Sequence, residues 1–194
     1  DFSQRHWDLN LDPDYIVGVI DVIRGLMDAI RLATPEHAPI IITPPVYYPF
    51  AILVNATGRE LLNAQLTPEG RFDFTTLEDA FRKAEGRGGM VLISNPSNPT
   101  GVVHTAEELT TLAVLAKKYG VRILSDEIHA PLTMPGFDFV SMLAIPEAED
   151  AVVVTSASKS FNLAGLKAAL VVTHSASSAL VEKLREPIVQ GPTH

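Results

Sequence analysis

The chain contains no cysteine, which excludes disulfides and thiolate metal sites and fits a reducing cytoplasm. It also lacks a basic cluster. With 15 Lys and Arg against 23 Asp and Glu, the formal charge is −8, which argues against non-specific nucleic-acid binding. No apolar run reaches the roughly 20 residues of a membrane span, and no signal-peptide pattern opens the sequence. Internal repeats and low-complexity linkers are absent as well. What remains is 194 residues, 46% hydrophobic and 20% charged, enough for one globular domain with its own core. Residue 1 is Asp and not an initiator Met, so the chain is expected to start at a cloning boundary or a processing site.

Short β-branched runs alternate with longer helical patterns. The runs predict strands at Tyr15–Val19, Pro39–Thr43, Glu60–Ala64, Met90–Ser94, Val121–Ser125, Ala151–Thr155 and Ala168–Thr173. Several are continuously apolar, as parallel strands buried on both faces are. Helices are predicted at Val22–Ala33, Thr76–Glu85 and Ala106–Tyr119. The last has a capping box in Thr105 and Glu108 and a stop at Gly120. Asp1–His6 reads as the tail of a helix begun earlier, and Ser175–Gln190 as a helix that leads onward. This alternation predicts an α/β fold: a three-layer α/β/α sandwich around a mostly parallel sheet of about seven strands. Ligands in such folds bind outside the carboxyl ends of the strands.

The chemically informative residues lie at those ends. Ala151–Thr155 runs into Ser156-Ala157-Ser158-Lys159-Ser160, and Val121–Ser125 runs into Asp126-Glu127-Ile128-His129. An isolated lysine after a strand is ordinarily a solvated charge. Here hydroxyls flank it and Lys167 follows, so the segment offers hydroxyl donors and a cation for a phosphate ester. A lysine amine can form a Schiff base with an aldehyde cofactor, and a buried aspartate can keep a pyridine nitrogen protonated. That pairing suits pyridoxal 5′-phosphate (PLP).

Three further segments fit the same ligand. Ser94-Asn95-Pro96-Ser97-Asn98-Pro99-Thr100-Gly101 is a stiff turn after a strand, with Asn98 as a held amide donor. Asn98 and His129 are both candidates for the phenolic oxygen of the ring. Tyr47 is an aromatic beyond the strand ending at Thr43. Val22 and Ile23 open a helix whose free N–H groups can bind phosphate.

In order and approximate spacing, SNPSNPTG at 94–101, SDEIH at 125–129 and SASKSFN at 156–162 resemble the fold-type I PLP enzymes, the aminotransferase class I/II superfamily. DEIHAPL at 126–132, KSFNLAGLK at 159–167 and VIRGLMDAI at 22–30 look most like its MalY/PatB-like cystathionine β-lyase branch. The resemblance implies that Lys159 carries the cofactor and that Asp126 pairs with the pyridine nitrogen. It gives Asn98 and His129 the phenolic oxygen, and has Tyr47 stack on the ring. Ser156, Ser158, Lys167 and the backbone of Val22 and Ile23 would bind phosphate.

Two departures matter. Many aminotransferases have arginine where Lys167 stands, so a bidentate fork becomes a point charge. They also commonly have tyrosine where His129 stands, which favours the lyase branch.

The implied activity is cleavage of cystathionine or a related cysteine S-conjugate to thiol, pyruvate and ammonia, by a cytoplasmic homodimer acting on a small amino acid. The alternatives are an aminotransferase or a non-catalytic PLP-binding sensor domain. The resemblance further implies that residues 1–194 are a PLP-binding large domain. A complete member has an N-terminal segment with a tyrosine that reaches the neighbouring subunit, and a C-terminal small domain with the arginine for the substrate carboxylate. The isolated chain is therefore expected to be catalytically silent.

Overall fold

A computed structural model describes residues 2–186. All seven expected strands form, with ends shifted by one residue at most. They are β1 (Ile16–Val19), β2 (Pro39–Ile42), β3 (Glu60–Asn63), β4 (Met90–Ser94), β5 (Arg122–Asp126), β6 (Val152–Thr155) and β7 (Ala169–Thr173). They join in one sheet of order β1-β7-β6-β5-β4-β2-β3. The pairs β3–β2, β2–β4, β4–β5 and β5–β6 are parallel, whereas β7 runs antiparallel to both β6 and β1. The sheet is thus mostly parallel, with an antiparallel flank.

Strand alternation divides the core in two. Ile41, Val91, Ile93, Ile123, Val153 and Val172 face a cluster completed by α4 (Phe74–Ala84) and α5 (Ala106–Tyr119). Their neighbours Ile40, Ile42, Leu92, Leu124, Val152, Val154 and Val171 face α2 (Val22–Ala33), α3 (Pro49–Ala56) and α6 (Ser178–Arg185). Continuous apolar runs were the sequence signal because both faces are covered. The result is the expected three-layer sandwich.

Local chemistry sets the helix ends. In α5 the Thr105 hydroxyl accepts from the Glu108 N–H while the Glu108 carboxylate accepts from the Thr105 N–H, and Gly120 closes the helix at φ 63°. In α2, Asp21 accepts from the Arg24 N–H at 2.8 Å. Gly25 lets α2 approach the sheet. A Cβ there would lie 3.0 Å from Val154 and 3.2 Å from Val171 and Val19.

The short helix α1 (Phe2–Trp7) matches the expected helical tail, although nothing is described before it. The predicted helix Ser175–Gln190 forms as α6, and residues 187–190 of that prediction lie outside the described residues. One helix was not anticipated: α3 follows the Pro44–Tyr48 segment and starts at Pro49.

Candidate cofactor site

Strands β4, β5 and β6 run parallel, so their carboxyl ends deliver Ser94, Asp126 and Thr155 to one edge of the sandwich. A cavity of about 270 Å³ opens there. All ten residues singled out in the sequence line it: Val22, Ile23, Tyr47, Asn98, Asp126, His129, Ser156, Ser158, Lys159 and Lys167. Asp21, Ser94, Ile128, Ala164 and Ala168 complete the wall.

The β4 turn is fastened from several sides. The Ser94 hydroxyl donates to the Pro96 carbonyl at 3.0 Å, Ser97 N–H donates to Val102, and Gly101 N–H returns to Ser97. Asn95 is fully buried; its amide donates to the Val140 carbonyl at 2.9 Å and its oxygen accepts from the His104 N–H at 3.2 Å. Asn95 therefore anchors the turn, and Asn98 is the asparagine presented to the cavity. The prolines stiffen this turn but do not act alone. Much of the fastening comes from Asn95.

Asp126 is buried at the end of β5, and its Oδ1 accepts from the Ile128 N–H at 3.1 Å. Burial pushes its carboxyl up to about 7; that amide bond and the charge of Lys159 offset only part of the effect. A buried carboxyl in salt-bridge contact with no cation among the described residues is well suited to a pyridinium N–H. Beside it, half-buried His129 is held below its usual value by desolvation and by the Lys159 charge. At neutral pH its ring is uncharged and can serve a phenolic oxygen as a neutral hydrogen-bond partner.

Lys159 is exposed on the loop after β6. The loop is held by Ser156, whose hydroxyl donates to the Ala168 carbonyl at 2.7 Å and accepts from the Ser158 N–H at 3.1 Å. In this arrangement the Ser156 proton fastens the loop. The Ser158 hydroxyl and the Lys167 ammonium are left as the side-chain donors on this side of the cavity. Lys167 has a left-handed backbone, φ 51°, and its ammonium lies 3.9 Å from the Asp21 carboxylate. Among the described residues, the amides of Val22 and Ile23, at the start of α2, meet no protein acceptor. Tyr47 packs edge-on against Phe50, the second residue of α3, with ring centroids 5.7 Å apart.

The donor set fits PLP. An amine, a buried carboxyl, an amide, an imidazole and an aromatic ring surround one small cavity, with free helix-start amides and a lysine at one side.

Two residues with roles here were missed in the sequence. Asp21 could have been found as the polar residue before an amphipathic helix, the usual N-cap signal. Glu127 had no such signal. It is buried, and its carboxyl accepts from Ser125 Oγ at 3.1 Å, Ser141 Oγ at 2.7 Å and the Met142 N–H at 2.8 Å.

The fold is that of the fold-type I PLP-dependent enzymes, and the chain belongs to the aminotransferase class I and II family, whose model matches residues 2–194. Among its relatives, the cystathionine beta-lyase of Corynebacterium glutamicum is 36% identical over 169 residues, covering 87% of this chain and 44% of that protein. Cystathionine beta-lyase PatB of Bacillus subtilis is 32% identical over 176 residues, covering 88% and 44%. The crystal structure of cystalysin from Treponema denticola, which contains a pyridoxal 5′-phosphate cofactor, matches with a TM-score of 0.86 at 26% identity, over 95% of this chain and 48% of that one. The chain spans about half the length of the curated relatives it matches.

Proposed function

We propose that residues 1–194 form the PLP-binding large domain of a C–S β-lyase that cleaves cystathionine or a related cysteine S-conjugate to thiol, pyruvate and ammonia. The observation that carries this reading is the convergence of Lys159, Asp126, Asn98 and His129 on one cavity, in a chain whose relatives are named cystathionine beta-lyases.

When bound, PLP supplies an electron sink for the substrate α-carbon. The protein's part is binding, orientation and proton transfer. Lys159 Nζ would hold the cofactor aldehyde, and its amine is the group placed to take the substrate α-proton. Asp126 would keep the ring nitrogen protonated, and its burial would strengthen that contact. Asn98 and His129 would fix the ring through its phenolic oxygen, and Tyr47 would stack on it. Ser158, Lys167 and the amides of Val22 and Ile23 hold the phosphate, and Ser156 keeps their loop in place. The arginine for the substrate carboxylate belongs to the part of the whole protein that lies outside the matched half.

The same reading makes the whole protein a cytoplasmic homodimer. Large apolar side chains stand exposed next to cavity-lining residues: Ile20 beside Asp21, Tyr48 beside Tyr47, and Leu163 and Leu166 beside Ala164 and Lys167. Exposed apolar groups at a site mouth suit burial by a partner subunit. No described helix is long and apolar enough to cross a membrane.

A second reading, an aminotransferase, is favoured by the family to which the chain belongs. The two differ in what they need and release. Incubating the whole protein with PLP and cystathionine, without a 2-oxo acid, tests the first reading directly. Pyruvate and ammonia are expected; product that forms only when a 2-oxo acid is added would establish the aminotransferase instead.

A further inference from the structure

Six ionisable side chains line the cavity: Asp21, Tyr47, Asp126, His129, Lys159 and Lys167. Under the cofactor-binding reading, on which this inference rests, Asp126 serves the ring and Lys159 the aldehyde. Among the described residues, the phosphate end is left with one lining cation, Lys167. A phosphate ester carries close to two negative charges at neutral pH, so one lysine is already a sparse complement.

Asp21 makes it sparser. Its carboxylate does two things at once. Oδ1 caps α2 by accepting from the Arg24 N–H at 2.8 Å, and Oδ2 lies 3.9 Å from Lys167 Nζ. The negative group thus sits at the helix end where the free amides of Val22 and Ile23 and the helix dipole would otherwise favour an anion. Lys167, whose side chain is largely exposed, thus has a counter-ion within 4 Å before any ligand arrives. An uncharged Ser or Asn would cap the helix equally well, so capping alone does not require the charge.

We propose that Asp21 is a built-in counter-charge that weakens the hold of this site on the cofactor phosphate and so sets how readily the cofactor is exchanged. Asp21 opposes the phosphate directly and competes for Lys167. It has no reason to affect the ring or the aldehyde, which makes the effect specific to phosphorylated ligands.

Asp21→Asn and Asp21→Ser both keep an acceptor for the Arg24 N–H and remove the charge. Inorganic phosphate is titrated into the purified protein and followed by the amide shifts of Val22 and Ile23. PLP and unphosphorylated pyridoxal are titrated in parallel by absorbance. Both variants should bind phosphate and PLP roughly ten-fold more tightly, the scale expected for removing one partly screened like charge. Pyridoxal affinity should stay unchanged. Phosphate affinity that is equal or weaker in both variants would overturn the proposal, as would an equal gain for pyridoxal. If phosphate binding tightens while PLP binds neither wild type nor variant, the role of Asp21 stands and the cofactor reading fails.

Discussion

Asp126 and Glu127 are consecutive buried carboxyls, yet only Asp126 faces the cavity; Glu127 spends both oxygens on Ser125, Ser141 and the Met142 amide. Through its backbone, Glu127 also donates to Val154 and accepts from the Thr155 hydroxyl, at the end of the strand that leads to Lys159. One residue therefore joins β5, β6 and the segment around residue 141, immediately beside Asp126.

The pair predicts how stability varies with pH in the protein without cofactor. Burial raises both carboxyls to about 7. A folded pKa above the unfolded one means that the folded state holds the proton more tightly. The stabilisation is then full below about pH 4 and is lost as pH rises through about 7. Buried His104, lowered to about 4, acts with the opposite sign: its contribution is present above about 6.5 and lost as pH falls toward 4. Between pH 6.5 and 8 only the carboxyl effect remains, so urea midpoints should fall across that window. Glu127→Gln keeps most of the acceptor geometry and should flatten the fall by on the order of 1–2 kcal/mol. Glu127→Ala strands buried donors and should destabilise at every pH by about 2–4 kcal/mol. An unchanged slope in Glu127→Gln would show that its ionisation plays no part.

For Asp126, the predicted effect is on ligand affinity. Asp126→Ala removes a charge-assisted hydrogen bond to the ring nitrogen, worth about 1.5–3 kcal/mol, so PLP affinity should fall roughly 10- to 100-fold. Equilibrium titration by absorbance measures it. A variant that binds PLP as tightly as the wild type would remove Asp126 from the site.

Gly25 links packing to the site, because it lets α2 lie close enough to the sheet to present Val22 and Ile23. Gly25→Val would drive side-chain atoms into Val154, Val171 and Val19. A loss of about 1–3 kcal/mol in thermal or urea unfolding is expected, together with weaker phosphate binding. Wild-type stability would mean that the helix can shift outward without cost.

What the sequence disclosed follows from where the chemistry lies. The runs at Met90–Ser94, Val121–Ser125 and Ala151–Thr155 end in polar groups, so these strand ends and the site residues are legible together, as at Val121–Ser125 with Asp126. The capping box of Thr105 and Glu108 was legible because both halves lie within four residues. Strand direction was not, since Ala168–Thr173 looks the same whether parallel or antiparallel; β7 turned out antiparallel to β6. Helix α3 escaped notice because PFAILVNA is apolar nearly all round and no side chain caps its start. Glu127 escaped because its partners Ser141 and Met142 come back to it only in the folded chain. Likewise, Asp21 could be read as a cap, but its contact with Lys167 could not.

The central claim is that Lys159 holds the cofactor, and chemical trapping tests it most directly. The protein is incubated with PLP, reduced with borohydride, digested and analysed by mass spectrometry. The account predicts one reduced phosphopyridoxyl group, on the peptide containing Lys159, and its loss in Lys159→Ala. A modification centred on Lys167 or on surface lysines, or one that persists unchanged in Lys159→Ala, would contradict it.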